Sequence, residues 1–238
     1  MLCQIKPKMN NNTDTSIIDE YIDYISSDGF PCIAAKAAVA KHQVQCMVAD
    51  HLACPHNDEE ILQFIYNFVD SYRSSDALYH SAAVIFKGPD VISEELFENF
   101  LWMRLQALAD LDSKRYDYDK RVDSNPDSGK FSFSLKEEAF FIIGLHPANS
   151  RPTRRFRCPV LTFNPHAQFE ELRDLNKFEN MQRVVRKRDL AFSGTINPML
   201  ENYGTSSEAH QYSGKHYDQE WQCPLNIHHA KSKPDTAA

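Results

Sequence analysis

The sequence lacks any long apolar run, and no stretch approaches the roughly 20 consecutive apolar residues of a membrane-spanning helix. We therefore expect no membrane partner. The N-terminal segment has no apolar centre, so no secretory signal peptide is predicted. None of the six cysteines forms a CxxC pair, which argues against a zinc ribbon or a redox dithiol. These absences predict a cytoplasmic protein with reduced thiols.

The motifs of several common enzyme classes are also missing. The chain has no P-loop, no GxGxxG and no HExxH motif, and no serine lies in a GxSxG motif. This argues against the common nucleotide-binding, zinc-protease and hydrolase classes. A formal net charge of −7 and a pI of about 5.8 argue against a general nucleic-acid partner.

The composition that is present suits a folded domain. Of 238 residues, 42% are hydrophobic and 25% are charged, which is enough for a sizeable core. Helical and strand patterns are intermixed along the chain. We predict a single α+β (mixed α/β) domain over residues 16–225, with a central, mostly antiparallel or mixed sheet flanked by helices. Residues 1–15 are predicted to be a disordered N-terminal segment, and residues 226–238 a polar C-terminal tail.

Periodicity and capping residues predict the individual elements. Helices are expected from a cap at Ser16, over 32–41, from a capping box at 57–60 to Tyr72, from Ser93, from Asn164-Pro165 to Leu175, and over 177–190. Strands are expected over 44–48, 80–86, parts of 131–145, and 160–163.

The most informative segment is 138–158, EAFFIIGLHPANSRPTRRFRC. Its apolar run ends at His146, and four arginines follow within seven residues: Arg151, Arg154, Arg155 and Arg157. An imidazole at a strand exit beside guanidiniums suits a metal centre next to bound carboxylates. Two plainer interpretations stay open, a turn histidine bonded to backbone and a solvated basic loop.

His166 is the second candidate metal ligand. It follows Asn164-Pro165 at a predicted helix start, where the positive end of the helix dipole disfavours a charged imidazole. A neutral imidazole is the form that binds a metal. The alternative is a partly exposed residue of the first helical turn.

An ordered series of motifs resembles the YqcI/YcgG family across residues 29–225. The motifs are FPC at 30–32, FSFS at 131–134, EAFFIIGLHP at 138–147, SRPTRRF at 150–156, FNPHAQFE at 163–170, NPML at 197–200, SEA at 207–209, QYSG at 211–214 and WQCP at 221–224. Members of this family include haem-dependent N-hydroxylases that act on guanidino groups of arginine-like amino acids in natural-product biosynthesis. The resemblance implies the same activity here, with haem iron as cofactor, dioxygen as co-substrate and an arginine-like substrate.

The resemblance also assigns roles to residues. His146 is the first choice of axial ligand and His166 the second, while the thiols of Cys32 and Cys223 are the alternative. Arginines 151, 154 and 155 are expected to pair with haem propionates or with the substrate carboxylate. Glu138 and Glu208 are candidates to face the guanidinium. Because no flavin or nicotinamide motif is present, electrons are expected from a separate reductase.

The sequence departs from the family pattern at two places. Residues 135–138 replace an expected glycine-containing segment, and His210 replaces an expected arginine in SEAxQYSG. An imidazole does not reproduce a bidentate guanidinium. The rival interpretations are a non-catalytic haem or small-anion binding protein, acting as a carrier or sensor, and a structural zinc protein, which the spacings support little.

Overall fold

The computed structural model describes residues 11–89, 93–195, 204–218 and 220–228. Helices and strands alternate within these ranges, which confirms the α+β class. The elements are α1 Asn11–Ser26, α2 Ile33–Ala40, β1 Val44–His51, α3 Asp58–Arg73, β2 Ser81–Gly88, α4 Glu94–Asp112, β3 Phe133–Leu135, β4 Glu138–Leu145, β5 Val160–Pro165, α5 Ala167–Asp174, α6 Phe178–Ser193 and α7 Ala209–Tyr212.

The strands form one open, mixed sheet in the order β1-β2-β5-β4-β3. β1 and β2 pair in parallel and are connected through α3, as a parallel pair requires a crossover. The pairs β2–β5, β5–β4 and β4–β3 are antiparallel. The predicted central sheet of mixed type is therefore confirmed.

A hydrophobic cluster covers each face of the sheet. On one face, Phe140 and Ile142 of β4 belong to a cluster with Phe97 and Leu101 of α4. On the other face, Leu145 belongs to a cluster with residues of α1. The opposite placement follows from the two-residue alternation of side chains along a strand.

The structure corrects the predicted start of one helix and the predicted cap of another. α1 begins at Asn11, so Ser16 lies inside the helix and is not its cap. α3 begins at Asp58, but Asn57 makes no capping hydrogen bond with its side chain. Its Oδ1 instead accepts from the backbone N–H of Asp50 at 3.1 Å, because that connection packs against the end of β1. Of the predicted N-terminal segment and C-terminal tail, residues 1–10 and 229–238 lie outside the described ranges.

The predicted helix start at Asn164-Pro165 is wrong, because both residues belong to β5. Asn164 pairs with Phe141 in the β4–β5 ladder, and its Nδ2 donates to the Phe141 carbonyl at 3.1 Å. The strand pairing thus overrides the local helix-starting signal, and His166 becomes the residue that precedes α5.

The predicted strand region 131–145 contains a tight hairpin. Lys136 and Glu137, which connect β3 to β4, both have positive φ values, 53° and 55°. This is the conformation of a two-residue hairpin turn that normally favours Asn and Gly. Lys136 is held by tertiary contacts, because its N–H donates to Asp112 at 3.0 Å and its Nζ pairs with Asp70 at 2.7 Å.

A buried ion pair anchors the β1–α3 connection to α4. Arg104, 3% exposed, pairs with Asp58, 4% exposed. Its guanidinium also donates to the carbonyl oxygens of Leu52 and Cys54. A buried pair of this kind is tolerated only when further hydrogen bonds satisfy the guanidinium, as they do here.

The structure bears on two expectations, the reduced state of the cysteines and the absence of a membrane-spanning helix. Cys54 is disulfide-bonded, so the expectation of reduced thiols is wrong for this residue. The thiols of Cys32, Cys46, Cys158 and Cys223 are free. Across the described ranges, no helix combines the length and apolarity needed to cross a bilayer.

The carboxyl of Asp112 provides a test of the core. It is 1% exposed, and Oδ1 accepts from Tyr66 Oη at 2.7 Å. Burial raises its pKa from 3.8 to about 6. The folded state therefore binds one more proton than the unfolded state between these values, and stability falls as pH rises through this window.

We expect Asp112→Asn to stabilise the protein at pH 7 by on the order of 1–3 kcal/mol, because it removes a buried charge but keeps the Oδ1 acceptor. The variant should also flatten the pH dependence of stability between pH 4 and 6, measured by urea unfolding. Asp110→Asn, on the exposed side of the same helix, is the control. A variant that keeps the parental pH slope contradicts this assignment.

Candidate functional site

His146 lies directly after β4, on the face of the sheet that α4 covers. Its ring stacks on Phe97 with a centroid distance of 4.2 Å and an interplanar angle of 22°. Gly144 makes this packing possible, because a Cβ there would lie 2.8 Å from the Phe97 ring. His146 is 1% exposed, and burial lowers its pKa to about 4, so the imidazole is neutral.

The hydrogen bonds of His146 define its tautomer. Asn149 Nδ2 lies 3.0 Å from Nε2, and the Oδ1 of the same amide accepts from Arg151 N–H at 2.9 Å. The amide therefore donates to Nε2, and the ring proton is assigned to Nδ1. This Nδ1 has no hydrogen-bond partner among the described residues.

His166 lies between two carboxylates. Its Nε2 is 3.3 Å from Glu170 Oε1, and its Nδ1 is 3.4 Å from Glu208 Oε1. Glu208 also lies 3.5 Å from the hydroxyl of Tyr212. The imidazole thus connects α5 to the segment that leads into α7, and both ring nitrogens face carboxylate oxygens.

Glu138 is 2% exposed and bound by two arginines. Its Oε1 accepts from Arg121 at 2.7 Å, and its Oε2 accepts from Arg73 at 3.2 Å. These three residues line a polar cleft of about 450 Å³ at the start of β4. The charge of Glu138 is therefore already compensated within the chain.

Two arginines of the predicted cluster point away from any shared site. Arg155 donates to the carbonyl oxygens of Asn149 and Ser150 at 2.6 and 3.0 Å, which holds the loop after β4. Arg157 pairs with Glu20 of α1. For these two residues the contacts are those of a structural loop.

Arg151 and Arg154 instead lie on the face of the sheet opposite to α4. Arg151 pairs with Asp189 of α6 at 2.6 Å. Arg154 donates to the carbonyl oxygens of Gly144 and Gln211 at 3.1 and 3.2 Å. Within the described chain, no carboxylate forms a salt bridge with Arg154. Burial, followed by the nearby charge of Arg151, lowers its pKa to about 10.

Both arginines line a largely apolar cavity of about 240 Å³ between the sheet and helices α1, α2, α5 and α6. Phe141, Ile143 and Leu145 of β4 form part of its wall. These are the strand positions that alternate with the ones facing α4. The cavity and the His146 ring consequently lie on opposite faces of β4.

Cys32 lines the same cavity at the N-terminus of α2. Its Sγ accepts from the backbone N–H of Ala35 at 3.5 Å. Burial raises the pKa of the thiol, while the N–H groups of Ala34 and Ala35 and the charge of Arg154 act in the opposite direction. Burial is the larger effect and the net pKa is raised, so Cys32 is held as a thiol in this cavity.

The structure thus brings together three of the predicted site residues, Cys32, Arg151 and Arg154. The others lie away from the cavity: His146, His166, Arg155, Glu138, Glu208 and Cys223. Burial raises the pKa of Cys223 to about 12. Among the described residues, no group of three or more His, Cys, Asp and Glu side chains could hold a metal ion.

Gln168 is one of the cavity residues that the sequence reasoning missed. Gln168, 4% exposed, lines the cavity from α5. It lies within the FNPHAQFE motif, but a glutamine in a helix carries no signal that separates it from a surface residue. His210, which departs from the family pattern, lies next to Trp221 at a centroid distance of 4.9 Å. Residues 197–200 lie outside the described ranges.

Gly144→Ala tests the packing that positions His146. The added methyl group overlaps Phe97 and Leu101, so we expect a loss of about 1–3 kcal/mol in the free energy of unfolding, measured by urea denaturation. Combining it with Phe97→Leu should cost less than the sum of the single losses, because a shorter side chain vacates the space. Strict additivity of the two losses contradicts this packing.

Comparisons with known proteins identify the family. A Bacillus subtilis (strain 168) protein, described as uncharacterized protein YqcI, is 29% identical over 182 residues, which cover 74% of this chain and 70% of the relative. No solved structure matches the chain. The model of the YqcI/YcgG family matches residues 21–226. The chain belongs to the YqcI/YcgG family.

Proposed function

We propose that this chain is a haem-dependent, dioxygen-using N-hydroxylase of the guanidino group of arginine or an arginine-like amino acid, active in natural-product biosynthesis. The observation that carries the proposal is the apolar cavity into which Cys32, Arg151 and Arg154 converge. Membership of the YqcI/YcgG family, which includes such hydroxylases, also supports the proposal.

The residues of the cavity fit the chemistry of haem binding. The walls are mostly apolar, as a porphyrin requires. Arg154 offers a guanidinium without a carboxylate partner in the described chain, which suits a haem propionate or the carboxylate of a bound amino acid. Cys32 offers a sulfur ligand.

The size of the cavity means that haem binding requires a change in the structure. Its volume of about 240 Å³ is smaller than the roughly 300–1,000 Å³ of typical small-molecule sites. We expect α6 to move outward on haem binding. Among the described side chains of α6, Asp189 is the buried one, and its ion pair with Arg151 attaches the helix to the cavity.

Among the candidate axial ligands, Cys32 is the one that lines the cavity. His146 accepts a hydrogen bond at Nε2 and stacks on Phe97 across the sheet, and both ring nitrogens of His166 face carboxylates. We therefore place Cys32 ahead of the two histidines. Bound haem would supply the activation of dioxygen, which a thiolate ligand favours.

The chain's own residues have defined tasks in this proposal. Burial, the largest effect, raises the pKa of Cys32, while the N–H groups at the start of α2 and the charge of Arg154 partly offset it; iron bound at the sulfur would favour the deprotonated form. Arg154 orients a carboxylate, and the apolar walls exclude water. Electrons come from a separate reductase, since the chain has no flavin or nicotinamide motif.

The placement of the acidic candidates supports an alternative function. Glu138 is bound by two arginines and Glu208 contacts His166, and neither lines the cavity. Asp189, which does line it, is paired with Arg151. A cavity with a cation but without an available proton acceptor also suits a haem or small-anion carrier or sensor.

Spectroscopy tests the haem ligand. We expect hemin titration to produce a Soret band, and the reduced, CO-bound protein to show the strongly red-shifted band of a thiolate ligand. Cys32→Ala should abolish that shifted band, while Cys46→Ala, a matched change of a free cysteine on β1, should retain it. No Soret band, or loss of the ligand signature in His146→Ala instead, contradicts the assignment.

Turnover separates the enzyme from the carrier or sensor. With L-arginine, dioxygen and a reductase, we expect mass spectrometry to detect a guanidino-hydroxylated product. Arg154→Met should weaken the binding of L-arginine about tenfold or more, because the charge-assisted hydrogen bond to its carboxylate is lost. Arg157→Met, whose guanidinium pairs with Glu20 on the surface, is the control. Stoichiometric haem binding without product across a panel of guanidino compounds would favour the alternative.

A further inference from the structure

The cavity contains one polar group whose hydrogen bonding is incomplete. Gln168 Nε2 donates to the carbonyl oxygen of His80 at 3.1 Å, but its Oε1 is buried without a partner among the described residues. The carbonyl acceptor fixes the orientation of the amide, because a flipped amide would place two oxygens together. An unsatisfied buried acceptor of this kind is costly.

The neighbouring polar side chains of the cavity are already satisfied. Asn164 Oδ1 accepts from Ser81 Oγ at 3.0 Å, and its Nδ2 donates to a strand carbonyl. The hydroxyl of Thr162 donates to the carbonyl of Ile143 at 3.2 Å. Of the buried side-chain atoms that lack a hydrogen-bond partner among the described residues, Gln168 Oε1 is the one that belongs to a cavity-lining residue.

The ring of His80 does not compete for this acceptor. Its Nε2 lies 3.3 Å from Gln43 Nε2 and 3.2 Å from Ser75 Oγ. The cavity therefore combines a guanidinium, Arg154, with a neutral acceptor, Gln168.

We propose that Gln168 determines substrate specificity, by accepting a hydrogen bond from an N–H group at the end of the substrate side chain while Arg154 neutralises a carboxylate in the same cavity. This inference rests on the cavity being the ligand site proposed above. The chemical class it selects is an amino acid whose side chain ends in an N–H donor, and it rejects an alkyl side chain of similar length. Rejection follows because an alkyl group leaves the buried amide oxygen unsatisfied.

Binding measurements with two probes test the inference. L-arginine carries N–H donors at the end of its side chain, whereas L-norleucine has the same backbone groups and an alkyl end. By titration calorimetry on the haem-loaded full chain, we expect arginine to bind about ten- to a hundredfold more tightly than norleucine. Gln168→Met should remove this preference by weakening arginine and leaving norleucine nearly unchanged.

Two further variants separate recognition from a structural role. Gln168→Glu keeps an acceptor oxygen but loses the N–H donor to the His80 carbonyl, so the preference for arginine should survive. Gln43→Met makes the same type of change at the other glutamine that contacts His80, outside the cavity lining, and should also keep it. Equal losses in Gln168→Met and Gln168→Glu, an unchanged preference in Gln168→Met, or no preference in the parent chain overturns the inference.

The haem proposal fails separately from this one. The same titrations on the chain as purified, without added hemin, report on amino-acid binding alone. A chain that shows no Soret band but keeps the Gln168-dependent preference overturns the haem proposal and supports the role of Gln168. A chain that binds haem with a preference independent of Gln168 overturns only the inference.

Discussion

The alternation of side chains along β4 is the constraint on which the arrangement of the site depends. Phe140, Ile142 and Gly144 face α4, and His146 continues that series onto the ring of Phe97. The intervening positions line the cavity on the opposite face. Since neighbouring side chains on a strand point to opposite faces, the histidine and the cavity cannot share one side of the sheet without a bulge.

The loop after β4 supplies the two positively charged side chains of the cavity. A short 3₁₀ turn at Pro152–Arg154 carries Arg151 and Arg154 beneath the sheet, while Arg155 turns back to loop carbonyls. Asp189 neutralises one guanidinium, and backbone carbonyls alone receive the other among the described residues. A partly desolvated cation is stabilised by an anion, which is the physical basis for proposing that Arg154 receives a carboxylate.

Local patterns predicted most of the helices because amphipathic periodicity and caps are encoded within a few residues. α4 begins after Ser93, whose hydroxyl accepts from Leu96 N–H, as the capping signal indicates. The same reasoning failed at Asn164-Pro165, which belong to β5, and gave no indication of the Lys136–Glu137 hairpin turn. In both places, strand pairing and contacts from distant residues outweigh local preference.

The sequence by itself determined the family, the α+β class and the identity of the chemical groups available to a site. It also placed Cys32, the arginines and the histidines in order along the chain. The tertiary structure alone decided which of them meet: Cys32 joins Arg154 across more than a hundred residues, Gln168 enters the cavity from α5, and His146 is excluded from it. The reason is physical, since local sequence sets backbone conformation and charge, whereas proximity depends on which face of the sheet each side chain occupies and on what packs there.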